Sequence, residues 1–160
     1  MDNIAHWLGG MALTGRPDLF FLVFIFSNFP DILSAPFFFY YAIKEKFPIK
    51  KKVLFEWKPP REYLEYYRFF HSILGTLLIT SVFNVFFPQY TKVFLLCYIS
   101  HIILDMFSHG GFWATRIFYP FSDFHLGFTK NHWEHKLTRR TIFIALLIIN
   151  INILIRHKIF

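Results

Sequence analysis

The feature that most constrains this sequence is a series of long apolar runs separated by short, polar, proline-containing segments. The two longest runs cover Phe69–Phe87 and Thr91–Phe107, and each is close to the roughly 20 residues that a helix needs to cross a bilayer. Phenylalanine alone supplies 24 of the 160 residues, a surplus that one small soluble core does not have the volume to bury. The sequence therefore predicts an all-α, polytopic helical membrane protein.

Further helices are predicted on both sides of this pair. Ile4–Leu13 is typical of a short amphipathic helix. Leu19–Phe29 and Ala35–Ile43 are each too short to cross a bilayer and are separated by Pro30, so they form either one kinked span or a re-entrant helix pair. Thr141–Ile155 is the last apolar segment. Together these runs predict about four membrane-inserted segments in a single domain, residues 1–160.

The net charge of +7 comes largely from basic residues between the apolar runs. Short lysine-rich loops stay on the cytoplasmic side of a membrane, so we expect the Lys44–Lys58 and Lys130–Arg140 loops to be cytoplasmic in a multi-pass protein of the inner membrane. Arg156 and Lys158 oppose this orientation if the last helix crosses completely. Attraction to anionic lipid headgroups explains the excess charge without a nucleic-acid partner. Several aromatic residues are predicted to form an interfacial belt: Tyr63, Tyr66, Tyr67, Trp113 and Trp133.

Four ionisable residues lie inside apolar runs, where a charge is costly unless it is paired or binds a ligand. They are Asp31, His71, His101 and Asp105. A plain alternative is that each only hydrogen-bonds to a neighbouring helix. Their number favours a buried polar site.

His101, Asp105 and His109 follow one another at a spacing of four residues, which places all three on one face of a helix. Imidazole and carboxylate ligands suit Zn²⁺, Mn²⁺ or Fe²⁺. An antiparallel hairpin of the two long runs would bring His71 to the same end as Asp105. His101 would lie roughly 12 Å from His109 along the helix, so the two histidines need not bind the same ion. Cys97 is the only cysteine, which excludes a site built on several thiolates.

Two arginines complete the candidate site. Arg68 lies one helical turn before His71 and is expected to point towards it, where a guanidinium would bind a phosphate well. Arg116, in the segment after the hairpin, would add positive charge to the same mouth. A plain alternative for Arg68 is an interfacial side chain that extends into the headgroups.

The order of these motifs resembles that of small inner-membrane proteins described as metal-dependent hydrolases, a family that is in turn distantly similar to zinc-dependent phospholipase C. The resemblance covers residues 6–122 and consists of five elements: His6 with Gly9 and Gly10; Pro30-Asp31; His71-Ser72-Ile73-Leu74; His101, Asp105 and His109 with Gly110 and Gly111; and Tyr119-Pro120-Phe121-Ser122. Many members carry a second acid after the Pro-Asp pair, where this chain has Leu33 and Ser34, and a further histidine near the position of Tyr66.

The resemblance implies hydrolysis of a phosphoester, on a membrane lipid or another lipid-linked phosphate, at a centre that holds a divalent metal, zinc first, with Mn²⁺ or Fe²⁺ as alternatives. The implied metal ligands are His6, Asp31, His71, His101, Asp105 and His109, and the implied catalytic residues are Asp105, His101 and Arg68. Two non-enzymatic hypotheses remain as alternatives. One is a carrier of protons or metal ions that uses the same residues, and the other is a family member that has lost its activity.

Overall fold

A computed structural model describes residues 3–46, 58–126 and 136–157 of the protein, without the side chains of 136–139. All regular secondary structure in these ranges is helical. The α-helices are α1 (Asn3–Thr14), α2 (Phe20–Ser27), α3 (Phe29–Lys44), α4 (Arg61–Phe70), α5 (Ile73–Phe86), α6 (Thr91–Ser108) and α7 (Lys136–Arg156). The prediction of an all-α helical membrane fold is confirmed.

Within the described ranges, two helical segments are long and apolar enough to cross a membrane, Pro17–Lys44 and Pro88–Ser108. A third exists if α4 and α5 together count as one broken span. The sequence predicted about four inserted segments; the fourth of these, α7, is not among the candidate spans found within the described residues.

The interruption near Pro30 lies within one helical segment of 28 residues, Pro17–Lys44. The chain breaks at Asn28, between α2 and α3, because a proline in the first turn of a helix lacks the N–H that would continue the preceding one. The Asn28 side-chain amide donates to the Phe24 carbonyl oxygen at 2.8 Å, which covers one of the carbonyls left free at the end of α2. Of the two alternatives at Pro30, the structure has the interrupted single segment.

The sequence predicted that the apolar run Phe69–Phe87 forms one span. In the structure this run is not one straight helix. It contains the last two residues of α4 and all of α5, and the two helices meet at an angle of 63°. Ser72 caps α5, because its hydroxyl accepts from the Gly75 N–H at 3.0 Å. A Cβ atom at Gly75 would lie 2.0 Å from the Phe69 carbonyl oxygen, so the bend depends on a residue without a side chain.

The remaining helices pack around α6. The 3₁₀ turn Pro88–Tyr90 joins α5 to α6 as the predicted hairpin, α1 and α2 both lie against α6, and α3 lies beside α4. Helix α7 packs on α1, where the Asn150 side-chain amide donates to the Leu8 carbonyl oxygen at 2.9 Å. The buried core between α1, α2 and α6 includes Phe26, Phe94 and Cys97.

The predicted aromatic belt is wrong for two of its members. Tyr63 and Tyr67 are buried and pack with residues of α3 and with Trp113, because α3 covers the face of α4 that carries them. Tyr66 is exposed, as a belt residue would be. Trp133 lies outside the described residues, as does most of both basic loops that were predicted to be cytoplasmic.

The bend between α4 and α5 generates a stability prediction. Replacing Gly75 by alanine should lower the thermal unfolding midpoint in detergent by several degrees, because the new methyl group collides with the Phe69 carbonyl and overpacking typically costs about 1–3 kcal/mol. Ser81→Ala is the matched control, since Ser81 is an exposed small residue on the same helix. Equal midpoints for the two variants would show that the bend tolerates a side chain.

Candidate metal centre

Six side chains from four parts of the fold meet inside the helix bundle. They are His6 of α1, Asp31 of α3, His71 between α4 and α5, His101 and Asp105 of α6, and His109 directly after α6. His6, His71, His101 and Asp105 are buried, and His109 is nearly so. These are the six residues that the sequence analysis assigned to a metal. The structure places them close together, and their role as ligands stays a prediction.

Asp105 lies at the centre of the cluster, with an imidazole nitrogen near each carboxylate oxygen. Its Oδ2 atom is 3.1 Å from His101 Nε2 and 3.6 Å from His71 Nε2. Its Oδ1 atom is 3.3 Å from His6 Nε2 and 3.1 Å from His109 Nε2. The carboxylate therefore divides the histidines into two pairs, one on each oxygen, with His101 and His109 on different oxygens. The sequence analysis predicted that these two histidines need not bind the same ion.

Asp31 closes the His71–His101 side of the cluster. Its Oδ1 atom is 3.4 Å from His71 Nε2 and 3.9 Å from His101 Nε2, and the two Nε2 atoms are 3.2 Å apart. The Asp31 side chain is 40% exposed, whereas those of the two histidines are fully buried. Asp31 therefore marks the side from which the cluster is accessible.

Backbone carbonyls fix the orientation of two histidines. His101 Nδ1 is 2.7 Å from the Ser27 carbonyl oxygen, and His71 Nδ1 is 2.8 Å from the Tyr67 carbonyl oxygen. Because a carbonyl can only accept, both Nδ1 atoms carry the proton, and in the neutral imidazole both Nε2 atoms present a lone pair to the cluster. Metal-binding histidines in proteins are held in this way by a partner on the second nitrogen.

His6 reaches the cluster because α1 approaches α2 and α6 closely. A Cβ atom at Gly10 would lie 1.9 Å from Ser27 Oγ, and one at Gly9 would lie 2.5 Å from Leu104 Cδ1. The His6 ring stacks on that of His101 with 3.8 Å between ring centres. His6 Nε2 lies 3.3 Å from Asp105 Oδ1, and neither ring nitrogen meets the geometry of a hydrogen bond with a described residue, so both remain available to a ligand.

His109 directly follows α6, a helix long and apolar enough to cross a membrane. Burial lowers the pKa of its imidazole below the ordinary value, although the Asp105 carboxylate opposes this change. A lowered pKa favours the neutral ring, the form in which histidine binds a cation.

The donor set fits a divalent first-row ion. The contributing atoms are imidazole nitrogens and carboxylate oxygens, and two overlapping triads have all their atoms within 4.8 Å of one another: His71, His101 and Asp105, and His6, Asp31 and His101. Tetrahedral ligands at about 2.0–2.1 Å from zinc lie about 3.3 Å apart. The separations of 3.1, 3.2, 3.4 and 3.6 Å at His71 and His101 are close to that value.

Arg68 lies apart from this cluster. It makes no hydrogen bond or ion pair with any described residue, and its titratable neighbours are Tyr119, Glu65 and Arg116. The sequence predicted that Arg68 would point towards the metal face because it lies one turn before His71. His71 caps the helix that carries Arg68, and its N–H donates to the Tyr67 carbonyl oxygen at 3.0 Å. No contact between Arg68 and the cluster is found among the described residues.

Sequence reasoning missed the residues that hold the histidines in place. Ser27 acts through its backbone carbonyl, so its side chain carries no signal for this role. Tyr67 also acts through its carbonyl, and its ring stacks on His71 with 4.0 Å between ring centres. Its spacing of four residues from His71 was visible, but the aromatic composition of the segment favoured an interfacial belt.

Comparison with known proteins gives a family and no closer relative. No curated protein and no solved structure matches the chain. The model of a family described as YdjM inner membrane protein matches residues 1–159. This match, with the apolar helices, supports a location in the inner membrane, and it contains nothing that supports a similarity to phospholipase C. The chain belongs to the YdjM inner membrane protein family.

Proposed function

We propose that this protein is a membrane-bound, metal-dependent hydrolase that cleaves a phosphoester of a lipid. The observation that carries the proposal is the close approach of four side chains, Asp31, His71, His101 and Asp105, around one point. Buried groups of this kind are costly in an apolar bundle unless they are paired or coordinate an ion.

The contact between His71 and His101 favours a cation in the cluster. Both Nδ1 atoms donate to carbonyls, so two neutral imidazoles would point lone pairs at each other across 3.2 Å. A positive ion between the nitrogens and the two carboxylates removes this repulsion and neutralises the acids. Zinc suits four nitrogen and oxygen ligands, with Mn²⁺ and Fe²⁺ as alternatives.

The role of each residue in such a site follows from its position. His71, His101 and Asp105 hold the buried side, and Asp31 lies on the accessible side, where a substrate enters. His6 and His109 face the second oxygen of Asp105, so this carboxylate is suited to bridge two ions. A divalent ion bound there supplies Lewis acidity, which activates water and polarises a phosphoryl oxygen.

The bend at His71 supports a substrate in the membrane. Helix α4 has four charged residues among ten, whereas α5 has none among fourteen, so the corner between them divides a polar helix from an apolar one. A charged helix of this kind stays at the bilayer surface, and an uncharged one enters it. His71 therefore lies at headgroup depth, where a lipid carries its phosphoester.

The runner-up function is the handling of protons. A single proton between His71 Nε2 and His101 Nε2 would also remove the repulsion across their 3.2 Å contact, and histidine–aspartate chains in membranes do serve as proton relays. Metal uptake distinguishes the two functions.

We expect purified protein that has been stripped with a chelator to take up zinc, and the His101→Ala/Asp105→Ala double variant to retain little or none, because His101 belongs to both triads and Asp105 to one of them. Metal content is measured by mass spectrometry after removal of free ion. Asp18→Asn is the control, since Asp18 is exposed and its ion pair among the described residues is with Arg16. Failure of the folded wild type to take up zinc, manganese or iron would remove the basis for the hydrolase.

Metal-loaded protein should release phosphate or a phosphorylated product from a panel of lipid phosphoesters in vesicles, and Asp105→Asn should abolish this turnover. The substitution keeps the shape of the side chain and removes the charge that faces four histidines. Asp18→Asn should leave the rate unchanged. Turnover that survives in Asp105→Asn would come from a contaminant, and metal uptake without turnover on any lipid would favour a non-enzymatic role.

A further inference from the structure

Arg68 and Arg116 lie outside the metal centre, and the charge of Arg68 acts on Arg116. Arg68 lies on α4, and Arg116 lies three residues after the 3₁₀ turn Gly111–Trp113. Both side chains are half-buried. Burial lowers the pKa of Arg116, and the nearby positive charge of Arg68 lowers it further. Two positive charges thus lie near each other in this part of the protein.

The described residues provide too few acids to balance this pair. Arg116 forms an ion pair with Asp123, whose side chain is 81% exposed. Arg68 has no ion pair or hydrogen bond in the described part of the chain, and the one acid near it, Glu65, pairs with Arg61 at 2.8 Å. The Nε atoms of both arginines are buried, and neither has a hydrogen-bond partner among the described residues. An anion with several oxygens, such as a phosphate, would satisfy both groups.

An apolar groove begins beside this arginine pair. Its volume is about 370 Å³, and it runs between α5 and α6, lined by Ile73, Leu77, Ile99, Ile103, Met106 and Ile117. Ile117 directly follows Arg116, and its carbonyl accepts from the Ile73 N–H at 2.9 Å. This hydrogen bond ties the arginine-bearing segment to the head of the groove.

We propose that Arg68, Arg116 and this groove form a binding site for an anionic phospholipid, whose phosphate lies between the two guanidinium groups and whose acyl chain follows the groove. Charge at one end and an apolar channel leading from it match the two parts of a lipid. A free phosphate would occupy the arginine pair alone and would have no use for the groove. The site shares no residue with the metal centre, so it does not depend on whether that centre binds metal.

The test measures retention of phosphatidylglycerol by the purified full-length protein in native mass spectrometry, with phosphatidylcholine as the lipid control. Wild type should retain one phosphatidylglycerol, and Arg68→Gln and Arg116→Gln should each weaken binding about tenfold, the loss expected for a charged hydrogen-bond partner. Arg61→Gln is the matched control, because Arg61 is an exposed arginine on the same helix. Retention that is equal in all four proteins would overturn the proposal.

A second pair of variants tests the groove. Leu77→Trp should fill it and weaken phosphatidylglycerol retention, whereas Leu78→Trp, a neighbouring exposed residue that does not line the groove, should not. Inorganic phosphate should displace the lipid poorly. Ready displacement by phosphate, together with no effect of Leu77→Trp, would mean a site for a free anion and would overturn the lipid assignment. Asp105→Asn should retain the lipid like wild type, which keeps this test separate from that of the hydrolase.

Discussion

A carboxylate buried inside an apolar helix bundle is the constraint around which this fold is organised. Asp105 is 1% exposed, and an isolated charge at such a position would cost several kcal/mol. Four histidine nitrogens lie within 3.6 Å of its two oxygens, and they come from α1, from the corner between α4 and α5, and from α6 and its C-terminal end. The helices can pack in this arrangement only if each delivers its polar side chain to the same place. The pairing of Asp105 with the histidines and the packing of the helices therefore favour the same structure.

Several residues of the cluster lie at or next to interruptions of the helices. Asp31 lies in the first turn after the break at Asn28, His71 lies in the corner between α4 and α5, and His109 is the first residue after α6. At such points the backbone has carbonyl groups without helical partners, and the end of α2 supplies the Ser27 carbonyl that orients His101. Irregular backbone is tolerated at membrane depth where protein covers it. The breaks in the apolar runs are thus part of the site and not defects of the spans.

Much of the fold could be predicted from the sequence, because apolar length and proline position determine where membrane helices lie. The hairpin of α5 and α6 and the short helix α1 are examples, and the i, i+4, i+8 spacing along α6 pointed to Asp105 and His101. The 63° bend between α4 and α5 could not be predicted, because it lies inside an unbroken apolar run. The surroundings of Arg68 could not be predicted either, because they include Tyr119 from the segment after α6. The burial of Tyr63 and Tyr67 depends on α3 packing over α4, a contact between segments that no local pattern encodes. The carbonyl of Ser27 was equally invisible, since every residue has one.

Zinc K-edge X-ray absorption on the zinc-loaded protein tests most directly whether the buried cluster is a metal centre. Ligation by this cluster predicts a first shell of nitrogen and oxygen atoms alone, at about 2.0–2.1 Å, with the outer-shell scattering of at least two imidazole rings. Cys97 packs in the core between α1, α2 and α6 and belongs to neither ligand triad, so it should contribute no sulfur. A sulfur shell at about 2.3 Å, or a spectrum without imidazole scattering, would contradict the assignment.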